Sequence, residues 1–158
     1  GYAMIGLGCE YSGFKHGIGP NYPFRGISFR GKTADVLIRD LTALNVAGVA
    51  YRKVTVPAVN GAQPLTGVYV EVIDWEVWNP VELSFHLMRL ACAYDPPNPF
   101  AKLNATQVRS FNIHVGSTEW WRALTRDGAR VNLEGFLQSW HERAQIYQQQ
   151  TRRYWLYN

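Results

Sequence analysis

The segment Gly8–Gly31 is the feature that most constrains how this chain can fold. It is rich in glycine and aromatic residues, and Pro20 and Pro23 interrupt it further. Glycine and proline at this density predict irregular backbone rather than a helix or a continuous strand. A long loop inside a compact domain is uncommon and is usually functional. We therefore expect this segment to carry a site and the rest of the chain to form its scaffold.

The scaffold contains several helices with recognisable start and stop signals. Small polar residues precede apolar residues at helical spacing, which is the pattern of a capped amphipathic helix. The predicted helices are one capped by Thr33 that runs to Asn45, one capped by Asn79 with Pro80 at its first position, one over Thr118–Thr125 closed at Gly128, and one that begins at Asn132.

Strand-like segments rich in Val, Tyr and Thr complete the scaffold. They are predicted at Tyr2–Leu7, Val49–Val59 and Thr66–Trp75, with a turn at Asn60-Gly61 between the last two. In the last of these strands Val68, Val70 and Val72 are predicted to share one face. The tail Arg153–Tyr157 forms either a final strand turn or a docked end. These elements predict one α+β (α/β) domain over residues 1–158, with a small mixed β-sheet packed against about four helices.

The composition fits this fold class and leaves the role of the aromatic residues open. A chain of 158 residues with 47% hydrophobic and 18% charged residues is globular and can bury a core, neither disordered nor fibrous. Aromatic residues make up 14% of the chain. They are either core and inter-domain surface or platforms for sugars, bases and protein partners.

Charge and hydropathy argue against two classes of partner. The net charge is +4, and the basic residues are scattered, with one tight cluster at Arg152–Arg153. Nucleic-acid binders concentrate their basic residues in a patch, so no nucleic-acid partner is expected. A modest positive charge equally suits a small anionic ligand such as a carboxylate. The longest apolar runs, such as Gly67–Ile73, are too short to span a membrane.

Cysteine and histidine give no metal or redox signature. Cys9 and Cys92 are too few and too far apart to define a disulfide framework, so we interpret them as buried thiols. No histidine stands at metal-ligand spacing from another histidine, a cysteine or a carboxylate, which argues against a metal site. The four histidines are His16, His86, His114 and His141.

With cysteine and histidine set aside, carboxylates are the remaining candidates for chemistry. Glycosidases are one class of enzyme that works with a pair of them. Glu10 is the strongest candidate, since it lies in the glycine-rich segment near polar and aromatic residues. We expect Glu10 to be catalytic and four neighbours to bind substrate: Tyr11, His16, Tyr22 and Arg25. In the alternative reading, Glu10 caps a backbone turn or pairs with an arginine.

Several motifs of the chain resemble those of a known family. Gly17–Phe24 is similar to the GRGTxxPF segment of the NamZ-like exo-β-N-acetylmuramidases, and Gly67–Asp74 resembles their GVxxxVxD strand. Leu44–Arg52 looks like their LN…PGVxFRP stretch, and Arg152–Tyr157 like their RxxYLLY tail. Each motif is weak alone, but they occur in order and at similar spacing over nearly the whole chain.

The resemblance implies a bacterial, periplasmic or secreted glycoside hydrolase of two domains that acts on peptidoglycan. An N-terminal Rossmann-like domain would be the partner of this C-terminal domain, with the glycan in the cleft between them. Terminal N-acetylmuramic acid would be released without a metal or another cofactor. The proposed main catalytic glutamate belongs to the N-terminal domain, which this chain lacks.

The chain departs from the family pattern at one position of the glycine-rich segment. Where the family reads SEGRGT, this chain has Lys15–Pro20, so that His16 stands in place of an acidic residue. This exchange bears on substrate specificity more than on the fold. Two other classes stay open: a non-catalytic cell-wall glycan-binding module, and a protein-interaction domain whose aromatic surface covers a partner domain.

Overall fold

The computed structural model describes residues 1–57 and 63–155 as four strands, six α-helices and several single turns. The strands are β1 (Phe14–Lys15), β2 (Gly26–Phe29), β3 (Val49–Val56) and β4 (Leu65–Val72). The α-helices are α1 (Leu7–Cys9), α2 (Ala34–Ala43), α3 (Glu82–Tyr94), α4 (Ala105–Val115), α5 (Thr118–Asp127) and α6 (Leu133–Thr151). A π-helical turn covers Tyr2–Gly6, and 3-10 turns cover Pro99–Lys102, Gly128–Arg130 and Arg152–Tyr154.

The strands form one sheet in the order β1-β2-β4-β3. Strands β3 and β4 pair in register from Val49 opposite Val72 to Val56 opposite Leu65. The predicted alternation in β4 is confirmed, because Val68, Val70 and Val72 are buried on one face. The α+β class is confirmed as well. All pairings among the described strands are antiparallel, where a mixed sheet was expected. Residues 1–57 and 63–155 form six α-helices rather than the expected four or so.

Helix α3 lies at the centre of the core. Its Leu83, Leu87 and Met88 are fully buried. The indole Nε1–H of the fully buried Trp120, on α5, points at the Met88 sulfur at 3.2 Å. Phe136 and Trp140 of α6 pack around the same indole, with ring centroids 5.3 and 6.0 Å from it. The helical layer is therefore joined by an aromatic cluster, which accounts for part of the aromatic content.

Helix starts follow the predicted caps at two of three positions. The side chains of Thr33 and Asn132 accept hydrogen bonds from Val36 N–H and Gly135 N–H, as an N-cap does. The third prediction is wrong by two residues: α3 begins at Glu82, and the amide oxygen of Asn79 accepts a bond from Val81 N–H within a preceding turn. The predicted stop of α5 at Gly128 is confirmed, with a left-handed φ of 55°.

The N-terminal segment is helical, and the strand predicted at Tyr2–Leu7 is wrong. A short apolar run does not distinguish a strand from a buried helical segment. Met4 and Ile5 are buried here as successive residues of a helical turn. The helical path continues into α1 and brings Gly8 against α3. The predicted end of the first long strand at Val59, the turn at Asn60-Gly61 and the last tail residues lie outside the described residues.

The glycine-rich segment is more regular than predicted, because it contains β1 and β2. Phe14 and Ile27 turn into the core, being 2% and 0% exposed. Gly26 is needed opposite Ile18, since a Cβ there would lie 2.9 Å from Ile18 Cγ1. Gly67 on the neighbouring β4 meets the same side chain at 2.8 Å. The Ile18 side chain therefore packs against Gly26 of β2 and Gly67 of β4, and this contact holds the loop against the sheet.

Helices α1 and α4 were not anticipated from the sequence. Helix α4 begins with a capping box, in which the Asn104 and Gln107 side chains each accept a bond from the other's backbone N–H at 3.0 Å. Phe111 is its single buried residue, so the helix has little amphipathic signal. None of the helices in the described part of the chain combines the length and apolarity needed to cross a membrane.

Candidate functional site

The position of Glu10 is set by a close contact between α1 and α3. The Gly8 N–H donates to Ser84 Oγ at 3.0 Å, and that hydroxyl donates to the Ala3 carbonyl at 2.8 Å. A Cβ at Gly8 would lie 2.6 Å from the Ser84 carbonyl oxygen, so only glycine fits between the two backbones. Helix α1 ends at Cys9, and Glu10 takes an extended conformation just after it.

Glu10 is paired with His114. The imidazole Nδ1 lies 2.9 Å from both Oε1 and Oε2 of the carboxylate. His114 stands in the last turn of α4, which Gly116 ends in a left-handed conformation. The Glu10 side chain is 19% exposed, so it keeps partial access to solvent beside this partner.

The pairing of Glu10 with His114 was not predicted from the sequence. The alternative reading gave Glu10 an arginine as partner, whereas the partner is a histidine. The two residues are 104 positions apart, and α4 itself was not predicted, so no local signal connected them. Recognising the Asn104 capping box would have placed His114 on a helix, although not next to Glu10.

Glu10 lies in the wall of a surface depression of about 360 Å³. This volume is within the range of small-molecule sites, about 300 to 1,000 Å³. Its lining combines one carboxylate, one ammonium and one imidazole with aromatic rings and a buried thiol. The lining residues are Tyr2, Gly6, Cys9, Glu10, Phe14, Lys15, His16 and Phe24.

An aromatic stack forms one side of the depression. The His16 imidazole lies flat against the Phe24 ring, with centroids 4.4 Å apart and an interplanar angle of 12°. Tyr2 meets the same Phe24 ring edge-on at 5.8 Å. The Phe24 N–H also donates to the His16 carbonyl at 2.8 Å. Both the ring and the backbone of His16 are therefore held in place, and the predicted pair Glu10 and His16 meets in one site.

A second depression, of about 520 Å³, adjoins the first. Lys15 and His16 line both, so that they form a ridge between the two. The remaining lining of the second depression is mostly small or apolar: Gly17, Gly19, Pro20, Pro23, Ser28 and Leu65.

The other three predicted substrate-binding residues lie outside the lining of both depressions. Tyr22 is 41% exposed and packs edge-on against Tyr69 at 5.5 Å. Arg25 is half-buried, and its carbonyl accepts a bond from Val70 N–H at 2.8 Å, which ties the loop to β4. Tyr11 packs against the core. Their role in substrate binding stays a prediction.

Backbone strain is concentrated in this segment. Tyr11, Tyr22 and Phe24 have φ values of 58°, 54° and 55°, which is the left-handed region. Residues other than glycine rarely adopt this backbone conformation, which costs on the order of 1 kcal/mol or more at each residue. The strain is maintained by specific bonds, such as that from Gly26 N–H to the Tyr22 carbonyl at 2.8 Å. Strain of this kind is common where a loop presents a binding site.

The described residues form neither a reactive thiol nor a metal site in addition to the depression. Cys9 and Cys92 are free and buried, as predicted. Burial raises the pKa of Cys9 to about 12 and that of Cys92 to about 11, so both are protonated thiols at neutral pH. Among residues 1–57 and 63–155, no group of three or more His, Cys, Asp or Glu side chains is arranged to hold a metal ion.

The fold is shared with a solved structure. A crystal structure of a DUF1343 family protein from Bacteroides fragilis NCTC 9343 superposes with a TM-score of 0.78 at 22% sequence identity. The match covers 99% of this chain and 41% of that protein. The chain therefore spans about two fifths of the length of the protein it resembles. No curated protein matches it.

The family to which the chain belongs is shown by its sequence. The fold is an α+β domain, which corresponds to 41% of the length of that solved structure. The family model described as exo-β-N-acetylmuramidase NamZ, C-terminal, matches residues 1–157. This chain belongs to that family, and the resemblance drawn from its motifs is confirmed.

Proposed function

We propose that this chain forms one wall of the substrate cleft of an exo-β-N-acetylmuramidase that releases terminal N-acetylmuramic acid from peptidoglycan. Membership of the NamZ C-terminal family supports the reaction class. The observation that carries the proposal is the depression in which Glu10 and His16 meet beside the Phe24 ring. This substrate would place the enzyme in the bacterial cell envelope.

In this proposal Glu10 contacts the terminal sugar. His114 occupies both carboxylate oxygens through one donor, and each oxygen keeps a lone pair for a sugar hydroxyl or amide. The stack of His16 on Phe24 supplies an aromatic edge beside the ring of the sugar. Glu10 would act as an orienting group or as an auxiliary acid or base.

The reaction needs a second carboxylate, which we assign to an N-terminal Rossmann-like domain. Glycosidases place two carboxyl groups on either side of the scissile bond. Among the described residues that line the depression, Glu10 is the one carboxylate. A separation from the second carboxyl group of about 5 to 5.5 Å would give a retaining enzyme, and one of about 6.5 to 9.5 Å an inverting enzyme.

The test is hydrolysis of a chromogenic N-acetylmuramic acid glycoside. The chain alone should unfold cooperatively on heating and show no turnover, whereas a polypeptide that also carries the N-terminal domain should release the chromophore. Turnover by the chain alone would contradict the proposed division of the catalytic groups. No turnover by either protein would contradict the reaction class.

A non-catalytic glycan-binding module is the second candidate. The observation that favours it is the single carboxylate in the lining of the depression, since binding requires no pair. The exposed side chains of Trp75 and Trp155, 64% and 51% accessible, are additional aromatic surfaces on which a sugar can stack. Sedimentation of the chain with insoluble peptidoglycan, with no turnover by the longer polypeptide, is the outcome this candidate predicts.

A further inference from the structure

Lys15 and His16 hold a special position among the polar residues of the site. They line both depressions, so a ligand in either one meets the same two groups. Both residues are exposed. Lys15 is the last residue of β1, where Phe14 turns into the core and the next side chain turns outward.

The positive charge of Lys15 is not balanced within the described part of the chain. No carboxylate there lies within ion-pair distance of its ammonium group. The one acidic residue among the described residues that line the first depression, Glu10, is paired with His114 at 2.9 Å. By contrast, Lys53 is paired with Asp35 at 2.7 Å and Arg89 with Glu134 at 3.0 Å.

His16 adds a hydrogen-bond donor whose direction is fixed. Its ring is stacked on Phe24, and its carbonyl accepts the Phe24 N–H. A donor that is held in position loses little entropy when it binds a ligand. The ridge therefore presents an ammonium and an imidazole to the same two depressions, a combination suited to a carboxylate.

We infer that Lys15 and His16 select a sugar that carries a carboxylate, by binding the lactyl carboxylate of a muramic acid residue whose ring lies in the depression beside Glu10. The inference rests on the proposed function and adds to it the residues that determine specificity. The neutral sugar without the lactyl group would fill the same depression but leave the ridge without a partner.

The test is a titration of the isotope-labelled chain, followed by backbone amide chemical shifts, with three ligands. N-acetylmuramic acid carries the carboxylate, its methyl ester keeps the lactyl group without the charge, and N-acetylglucosamine lacks both. An exposed charge pair gives an effect of about fivefold in affinity. We expect the acid to bind about fivefold more tightly than the ester and the neutral sugar, with less preference at high salt because exposed charges are screened.

Two variants assign the preference to the ridge. Lys15→Gln should reduce the preference for the acid to less than about twofold, and His16→Gln should reduce it partly. Lys102→Gln is the matched control, because Lys102 lies in the turn Pro99–Lys102 and lines neither depression. The amide spectrum of each variant serves as the check on folding.

Three outcomes would overturn the inference in distinguishable ways. Equal binding of the acid and the ester overturns selection by charge and leaves the proposed function standing. A preference that survives both Lys15→Gln and His16→Gln overturns the assignment to the ridge. Shift changes with none of the three sugars overturn both the inference and the sugar site on which it rests.

Discussion

The imidazole Nδ1 of His114 lies 2.9 Å from each carboxylate oxygen of Glu10, across 104 residues of sequence. This contact joins the residue that follows α1 to the last turn of α4, and of the two residues only Glu10 lines the depression. The pair holds Glu10, the one carboxylate among the described residues that line the depression, in a fixed orientation. It also leaves the neighbouring Lys15 without an acidic partner among the described residues.

Replacing His114 should weaken ligand binding more than it weakens the fold. An exposed pair of this kind contributes about 0.5 to 1 kcal/mol to the free energy of unfolding. We expect His114→Ala to lower stability by no more than this and to reduce the affinity for N-acetylmuramic acid about threefold, because the Glu10 carboxylate loses its orientation. Denaturant unfolding and titration measure the two effects.

His141 provides the matched control for that variant. It lies on α6, where its Nε2 contacts Gln145 at 2.8 Å, and it lines neither depression. His141→Ala should leave ligand affinity unchanged. If the two alanine variants bind the sugar equally well, His114 does not orient Glu10.

Gly8→Ala should destabilise the domain strongly. The added Cβ would lie 2.6 Å from the Ser84 carbonyl oxygen and 2.9 Å from Leu87 Cβ, so α1 and α3 would have to separate. Overpacking of this kind costs about 1 to 3 kcal/mol. Gly31→Ala is the control, since nothing lies within 4 Å of a Cβ added at this position. Its only cost is the left-handed φ of 78°, which is about 1 kcal/mol for alanine. Denaturant midpoints that fall equally would refute the close-contact argument.

His86 should make the domain less stable in acid. Burial, followed by the charge of Arg89, lowers the pKa of His86 to about 4. Between pH 6.5 and pH 4 the unfolded chain binds a proton that the folded chain does not, so this contribution is complete above pH 6.5 and is lost as the pH falls. Allowing for partial solvent access, we expect a loss of about 2 kcal/mol by pH 4.

The comparison with His86→Gln isolates that contribution. Burial raises the pKa of the adjacent Glu82, and protonation of this carboxyl in acid works in the opposite direction. Glu82 is present in both proteins, so its effect is common to both and leaves that of His86. Because only the parent protein loses stability through His86, the difference in unfolding free energy between the two proteins should shrink as the pH falls from 7 to 4. A difference that stays constant over this range would show that His86 titrates normally.

The two thiols should be unreactive in the native state. Burial raises the pKa of both Cys9 and Cys92, and neither forms a disulfide. We expect no reaction with a thiol reagent such as DTNB at pH 8 under native conditions, and two thiols titrated in denaturant. Rapid native labelling of Cys9, which lines the depression, would mean that the α1 segment opens readily.

Local signals predicted much of the scaffold. The caps Thr33 and Asn132 are read from side chains that bond backbone groups three residues ahead, so nearby sequence is sufficient. The alternation of valines in β4 is local in the same way. Met4 and Ile5 were assigned to a strand because a short apolar run is ambiguous, and the contact of Gly8 with Ser84 that favours the helical path is distant in sequence.

The site was predictable only in part. Glu10 and His16 both lie in the glycine-rich segment that was predicted to carry a site. Their presence in the lining of one depression is consistent with that prediction. His114 comes from a helix with a single buried residue, and its contact with Glu10 depends on tertiary packing. Tyr22 and Arg25 share the loop but lie at its junction with β4, outside the depression.

The central claim is that Glu10 contacts the sugar, and its most direct test is the kinetics of Glu10→Gln in a polypeptide that carries both domains. Glu142→Gln, on α6 and away from the depression, is the control. With a chromogenic N-acetylmuramic acid glycoside, we predict that Glu10→Gln lowers kcat/KM at least about tenfold, or about 1.4 kcal/mol, with a melting temperature close to that of the parent. Values of kcat/KM equal to those of the parent and of Glu142→Gln would contradict the account and place both catalytic carboxylates in the N-terminal domain.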